Sequence, residues 1–316
     1  MNTLEQTQTF LDFKVSGPPL CLYGGHKDDP LRGQWLPAAE RHIKVLNFSG
    51  GKQSSLLAWL AILGEIERPD VIMSANPGME GQAVLDYVAM IQDAARAVGI
   101  PAYTVPGPNL YEAIINLKQT QRTRFDTPAF YTKGKHGSRE GRLSQRCTKW
   151  AKIAPMNRAS RIEVERLLGI GRRSTHIPPG TVEKWIGFSF SEVTRIKPPV
   201  ERWSCFRYPL VDLRLTNGDV IKKLNYLGKP IPKRSVCRGC FANDASFFRQ
   251  MSIEDPAGWE QAKQVDRAIR DWKQIGVENE VYILRSCISL DELEARGFVD
   301  VAGPVDQGCD SGYCLT

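Results

Sequence analysis

Apolar positions along the chain fall into two alternating rhythms. Short apolar runs give way to stretches whose apolar residues recur at helical spacing. Residues 43–48 read as a buried strand, and Ser54 to Ile66 as a helix. Val71-Ile72-Met73 makes a second apolar run. Asn76-Pro77-Gly78 then breaks the chain, and residues 81–98 carry a helical pattern. Ala102 to Val105 is a third strand, followed by a helix near 110–118. This alternation predicts an α/β fold, a parallel sheet with right-handed crossovers. Farther on, a helical segment opens at Cys147 and runs towards Leu168. Val182 to Phe188 reads as a strand, Tyr208-Pro209-Leu210-Val211 as a short extended piece, and Gly218 to Leu227 as a small helix. Residues 244–275 look helical with mixed charge, as a surface-facing cover does, and Val281 to Leu284 reads as a final strand. Residues 1–40 show weak periodicity and several turn signals. The expected division is an N-terminal extension (1–40), a nucleotide-binding α/β domain (41–243) and a helical C-terminal region with a cysteine-bearing tail (244–316).

Ligands of parallel sheets sit beyond the carboxyl ends of the strands. At the first such point stands Ser49-Gly50-Gly51-Lys52-Gln53-Ser54-Ser55. Two glycines let the backbone bend with positive φ and approach a ligand closely. The following helix start offers free N–H groups and the positive end of its dipole, which suits phosphate. Lys52 adds a cation at the same place. The spacing is not that of a Walker loop, which needs four residues between its glycine and Gly-Lys-Ser/Thr. Asn76 and Glu80 follow the second strand, and Ser189, Glu192 and Arg195 follow the strand at 182–188. All are candidates for the same sheet edge. For Asn76 and Glu80, turn formation and helix capping explain the residue types equally well.

Composition narrows the class. The chain has 316 residues, 42% hydrophobic and 24% charged, enough to bury a sizeable core. It contains no apolar run of membrane-spanning length and no export signal at Met1 to Phe10, so a cytoplasmic protein with no membrane partner is expected. The net charge of +7 permits a nucleic acid or a polyanionic nucleotide as partner. Much of that charge lies in the loop 119–149, where Arg122, Arg124, Lys133, Lys135, Arg139, Arg142, Arg146 and Lys149 oppose Asp126 and Glu140. Phe125, Phe130 and Tyr131 are interleaved. Such a segment suits DNA or RNA stacked on rings, or a solvated surface loop. The eight cysteines, with no export signal, are thiols or metal ligands rather than disulfides. Cys237-Arg238-Gly239-Cys240 is half a metal site, because a tight turn aims both sulfurs one way. Cys147, at a helix start beside Arg146 and Lys149, is its best partner, as ligand or as nucleophile. Cys309 and Cys314 lie in a short glycine-bearing tail able to bring a reactive thiol to a pocket, or to fray.

The ordered set of motifs resembles the phosphoadenylylsulfate (PAPS) reductase family of the PP-loop adenine nucleotide α-hydrolase superfamily. The matching residues are Ser49-Gly50-Gly51-Lys52-Gln53-Ser54; Arg146-Cys147-Thr148 with Lys152 and Pro155; Trp185-Ile186-Gly187-Phe188-Ser189 with Glu192 and Arg195; Tyr208-Pro209-Leu210; and Ser235-Val236-Cys237-Arg238-Gly239-Cys240. The chain looks most like the phage- and plasmid-borne branch, with DNA phosphorothioation and tRNA thiolation enzymes as relatives. Gln53 departs from the family's usual Asp. The resemblance implies a Rossmann-like sheet with helices on both faces. It also implies ATP or a sulfonucleotide at Ser49, Gly50, Gly51, Lys52, Gln53 and Ser54, with Mg2+. Cys147, Cys237 and Cys240 would hold a [4Fe–4S] cluster or, alternatively, Zn2+, with Cys205, Cys309 or Cys314 as a fourth ligand or one iron left open.

Three functions follow as expectations. The first is ATP-dependent adenylation of an acceptor, a nucleic acid among the options, followed by sulfur transfer; here Lys52 stabilises the leaving charge and a sulfur donor is a partner. The second is a sulfonucleotide reductase in which Cys309 or Cys314 attacks sulfur and thioredoxin resolves the product. The third is a nucleotide- or nucleic-acid-binding module without chemistry, of which Gln53 would be the mark.

Overall fold

The computed structural model describes residues 18–120, 125–133 and 141–300. The chain forms two compact units. One holds the described residues up to Met73, with Ile91–Tyr103 and Ala159–Ile231; the other holds Ser74–Met90, Thr104–Arg158 and the chain from Pro232 onward.

A seven-stranded sheet gives the molecule its α/β, Rossmann-like class. Its strands are β1 (Leu20–Tyr23), β2 (Trp35–Pro37), β3 (Ile43–Asn47), β4 (Val71–Ala75), β5 (Ala102–Val105), β8 (Val182–Trp185) and β9 (Ser204–Arg207), in the order β2-β1-β9-β8-β3-β4-β5. β3 pairs parallel with both β4 and β8, and β8 with β9. β1 joins β9 antiparallel and β2 joins β1 antiparallel, so one edge of the sheet is antiparallel. Val45, Leu46, Val71, Ile72, Met73, Val182 and Trp185 are all buried, as strands covered on both faces require.

Helices alternate with these strands. Lys52–Leu63 follows β3, and Gln82–Ala97 follows β4. The first is buried from Ser54 through Ile62 and ends at Gly64, whose φ of 76° makes the left-handed C-cap. Ala154–Leu168 precedes β8 and is entered through a wide π turn at Lys149–Ile153.

Three local expectations are corrected. Tyr208 to Val211 is not extended: the strand is β9, just upstream, and Pro209–Asp212 forms a helical turn with Pro209 at its start, where a fixed φ and a missing N–H cost nothing. Within residues 1–40, Leu20–Tyr23 and Trp35–Pro37 are strands of the main sheet; β1 is too short to show a period, and its pairing with the distant β9 selects its conformation. Residues 244–275 are not a surface cover. Helices Ala245–Glu254 and Pro256–Ile269 carry Phe248, Trp259, Ala262, Val265 and Ile269 into the core of the second unit, at the spacing of one helix face.

The second unit also contains helix Leu110–Ile115, helix Leu290–Ala295 and a small sheet in which β6 (Tyr131–Thr132) lies between β10 (Val281–Tyr282) and β7 (Gly141–Arg142). Asp266, 1% exposed, accepts hydrogen bonds from the N–H groups of Ile283 (3.3 Å) and Leu290 (3.1 Å) and pairs with Arg270 at 2.7 Å. One buried carboxylate thus ties three segments of this unit together. No helix among the described residues is long and apolar enough to cross a membrane.

Candidate functional site

The loop after β3 is built in the first unit. Gly50 adopts φ 75°, a conformation that L side chains rarely take. Gly51 is the N-cap of helix Lys52–Leu63 and has no side chain to cap it. No acidic residue occupies the first turn, so nothing there competes with an anion for the positive end of the dipole. The serines hold the loop's shape. Ser49 Oγ and Ser54 Oγ lie 3.0 Å apart, the Gly51 N–H donates to Ser49 Oγ (3.4 Å), and the Ser49 N–H donates to Ser54 Oγ (3.3 Å). The Ser54 and Ser55 hydroxyls donate to the Gly51 carbonyl at 3.1 and 2.7 Å. Both serines are buried, and these hydroxyls brace the turn from within. The first N–H groups of helix Lys52–Leu63 have no partner four residues back within the helix, and Lys52 beside them is half-buried.

Gly187, just past β8, packs against the first turn of that helix. A Cβ there would stand 2.7 Å from Ser54 N and 2.9 Å from Ser54 Cα. Glycine is therefore a packing requirement at the mouth of the loop.

Beside the loop, Ser189 opens a short helical turn, Phe190–Arg195, through a capping box with Glu192. Ser189 N–H and Oγ reach Glu192 Oε2 at 3.1 and 3.0 Å, and Arg195 pairs with Glu192 Oε1. Arg195 also lies over the Phe188 ring at 4.5 Å. Gln53 Nε2 donates to Glu192 Oε2 (3.3 Å) and to Asn217 Oδ1 (3.1 Å), and Ser189 Oγ lies 2.7 Å from the same Asn217 oxygen. The structure thus brings Ser49, Gly50, Gly51, Lys52, Gln53, Ser54, Ser189 and Arg195 into one unit. It adds Asn217, which sequence reasoning missed. The signal was present in Thr216-x-x-Asp219, a capping box that places Asn217 first in helix Asn217–Tyr226. Asn47 was also missed. It ends β3, is 8% exposed, and keeps a buried Oδ1 with no hydrogen-bond partner.

Asn76 and Glu80 belong to the second unit. The Asn76 side chain accepts from the Gly78 N–H (2.8 Å) and so makes the turn after β4. Glu80, 5% exposed, pairs through Oε1 with Lys152 Nζ at 2.8 Å, while its Oε2 is buried with no hydrogen-bond partner. Its backbone bridges to Cys237.

Cys237 and Cys240 flank a tight turn in which the Cys240 N–H donates to the Cys237 carbonyl (3.1 Å). Asn243 Nδ2 donates to that carbonyl at 3.0 Å. Cys147, Cys237 and Cys240 form no disulfide among the described residues, are half-buried, and all pack against the same apolar cluster. Among the described residues no group of three or more His, Cys, Asp or Glu side chains is placed to hold a metal ion. Cys205 is buried in the first unit with Cys21 and Tyr23, and Cys309 and Cys314 lie outside the described residues.

The segment 119–149 also differs from its expectation. Residues 121–124 and 134–140 are outside the described part. Of the aromatic residues, Phe130 and Tyr131 are buried, and Phe125 packs edge-on against Trp150 and Trp272 with ring centroids 5.7 and 5.8 Å apart. These rings build the core of the second unit, so they are not platforms for bases. Arg142 lies over the Phe241 ring at 5.2 Å.

A mostly parallel sheet in which the interior strand β3 ends in a glycine turn followed by a buried helix defines an α/β chain. No protein-family model matches the chain, and no curated protein matches it. Among solved structures it is similar to the NH3-dependent NAD synthetase from Campylobacter jejuni in complex with the nitrate ion. That likeness has 14% identity and TM-score 0.31, and covers 73% of this chain and 86% of that one. It is also similar to the U34-tRNA thiolase NcsA from Methanococcus maripaludis with its [4Fe–4S] cluster, at 16% identity and TM-score 0.37, covering 83% of this chain and 80% of that one.

Proposed function

We propose that this chain is an adenine-nucleotide-dependent enzyme of sulfur metabolism. The observation that carries the proposal is the loop itself: a left-handed Gly50, an uncapped helix start at Gly51, serines turned inward, and Lys52. ATP phosphates would lie on the N–H groups of this turn. An acceptor oxygen attacks the α-phosphorus, pyrophosphate leaves, and Lys52 with the loop N–H groups stabilises the charge that develops on it. A persulfide sulfur, delivered to one of the protein's thiols by a persulfide sulfur donor, then attacks the activated carbon and AMP departs; a second protein thiol attacks the protein-side sulfur of the resulting S–S link, releasing the thiolated acceptor and leaving a protein disulfide that an external thiol reductant reopens. Cys147, Cys237 and Cys240 are the proposed sulfur-handling thiols, and a nucleic acid is the acceptor class that the basic segment 119–149 admits. No step is assigned to a metal cluster. The test is ATP–pyrophosphate exchange by the purified protein with RNA or DNA acceptors. Lys52→Ala is expected to lower the exchange about a hundredfold, the scale of losing one transition-state donor. No exchange with any acceptor would count against adenylation.

A second reading is favoured by Gln53, which supplies an amide where a carboxylate would assist metal-bound triphosphate. Under it the substrate is a sulfonucleotide: Cys309 or Cys314 attacks its sulfur, the nucleotide phosphate leaves, and a thioredoxin-type dithiol then attacks the cysteine sulfur to release sulfite and end as a disulfide. Sulfite release should then vanish in a Cys309→Ser/Cys314→Ser chain; turnover at the wild-type rate in that variant would end this reading.

A further inference from the structure

The resemblance noted in the sequence brings Mg2+ with it, and the donors beside the loop can be tested against that ion. Mg2+ binds oxygen ligands, usually one or two carboxylates together with substrate phosphates. The carboxylate beside this loop is Glu192, and both its oxygens are already engaged. Oε2 receives the Ser189 N–H (3.1 Å) and Gln53 Nε2 (3.3 Å), with Ser189 Oγ at 3.0 Å; Oε1 pairs with Arg195. Glu192 is 7% exposed, so a cation would have to displace these donors inside the protein. Gln53 donates through Nε2 to Glu192 Oε2 at a half-buried position and to Asn217 Oδ1 (3.1 Å) at an exposed one, so both amide protons are used. Glu192 and Asn217 supply the acceptors at this point, and Gln53, Ser189 and Arg195 supply donors matched to them. An Asp at position 53 would instead bring a second carboxylate towards Glu192, an arrangement that needs a cation between them. The residues present do not fit a protein-held Mg2+.

We infer that Gln53, clamped by Glu192 and Asn217, excludes a protein-ligated divalent cation from the phosphate loop. The phosphates of the bound nucleotide are then gripped by backbone N–H groups and Lys52 alone. Any divalent ion arrives on the nucleotide and is held by phosphate oxygen and water. The inference rests on the nucleotide-binding reading of the loop and specifies the ligand further: a nucleotide polyanion or sulfonucleotide bound without a metal ligand from the protein.

The test titrates ATP into the full chain in two buffers, one with Mg2+ and one with EDTA, by calorimetry. The dissociation constant is expected to agree between the buffers within about threefold, a small change on the affinity scale. Gln53→Asp is expected to bind ATP poorly in EDTA and to recover by about tenfold or more when Mg2+ is added. Wild-type affinity that weakens in EDTA by more than about threefold would overturn the inference while leaving the nucleotide site standing. A folded Gln53→Asp as indifferent to Mg2+ as the wild type would overturn it too. Should that variant fail to fold, the two wild-type titrations still decide. No binding of ATP in either buffer would instead overturn the nucleotide reading of the loop.

Discussion

At the scale of single residues, buried charge tells most about this chain. His42 donates or accepts on two sides, with Nδ1 2.8 Å from the Ala39 carbonyl and Nε2 3.3 Å from Glu183 Oε2. The hydrogen bond to Glu183 raises the imidazole above its ordinary value of 6.5, against the opposing effect of burial. A raised folded-state value means that the folded protein holds this proton more tightly than the unfolded chain. Its contribution is therefore complete below about pH 6.5 and is lost as pH rises through the folded value. The stability gap between wild type and His42→Gln should be widest near about pH 6 and narrow by about pH 9 in urea titrations; a gap that widened with pH would contradict this assignment. Glu80 and Lys152 offer a second case. With Lys152→Met, a carboxylate that is 5% exposed loses its ion-pair partner. A loss of about 3–5 kcal/mol is expected from such a buried pair, and adding Glu80→Gln should restore much of it, because the uncompensated charge is then gone. Denaturant midpoints of the two variants give the comparison. At this scale the sequence was most legible where chemistry is local. Gly50 was readable as a left-handed turn and Ser189–Glu192 as neighbours on one edge. The partner of Gln53 was not readable, because Asn217 lies far along the chain and only folding brings the two amides to 3.1 Å.

Elements were legible where their pattern repeated over several turns and poorly where they were short. The helices after β3 and β4 and the strands β3, β4 and β5 fall close to where periodicity placed them, since parallel strands buried on two faces read as plain apolar runs. β9 was missed because its four residues begin with Ser204 and end with Arg207, leaving two apolar positions between, and its place in the sheet comes from pairing with β8 and β1. Helix Pro256–Ile269 shows the opposite error, in which abundant charge hid a core stripe. Asp255 caps its start by accepting the Gly258 N–H at 3.0 Å, and Trp259 is 3% exposed against Phe248, with ring centroids 5.7 Å apart. A surface cover would tolerate Trp259→Ala with little effect. The core position observed here predicts a loss of about 3–5 kcal/mol, measurable by urea unfolding, and a loss below about 1 kcal/mol would restore the surface assignment.

For the whole molecule, the chain passes back and forth between its two units, so neither is one continuous segment. A chain ending at Ile231 would lack Phe248, Trp259, Val265, Ile269 and Trp272, which pack with Leu110, Ile114 and Phe130 in one core. Such a truncation is expected to be insoluble, or to lose much of its near-ultraviolet dichroism if soluble; a soluble fragment with native-like spectra would show that the second unit's core is dispensable. By itself, the order of residues determined the strand–helix alternation and the glycine turn after β3, because both depend on neighbours a few positions apart and on glycine's freedom of φ. Only the tertiary structure decided that Phe130 and Tyr131 of the basic segment are core with Phe125 packed against it, that Cys147, Cys237 and Cys240 lie against one apolar cluster, and that Gln53 hydrogen-bonds to Glu192 and Asn217. Those outcomes depend on contacts between residues far apart in the chain, where local pattern carries no information about distance.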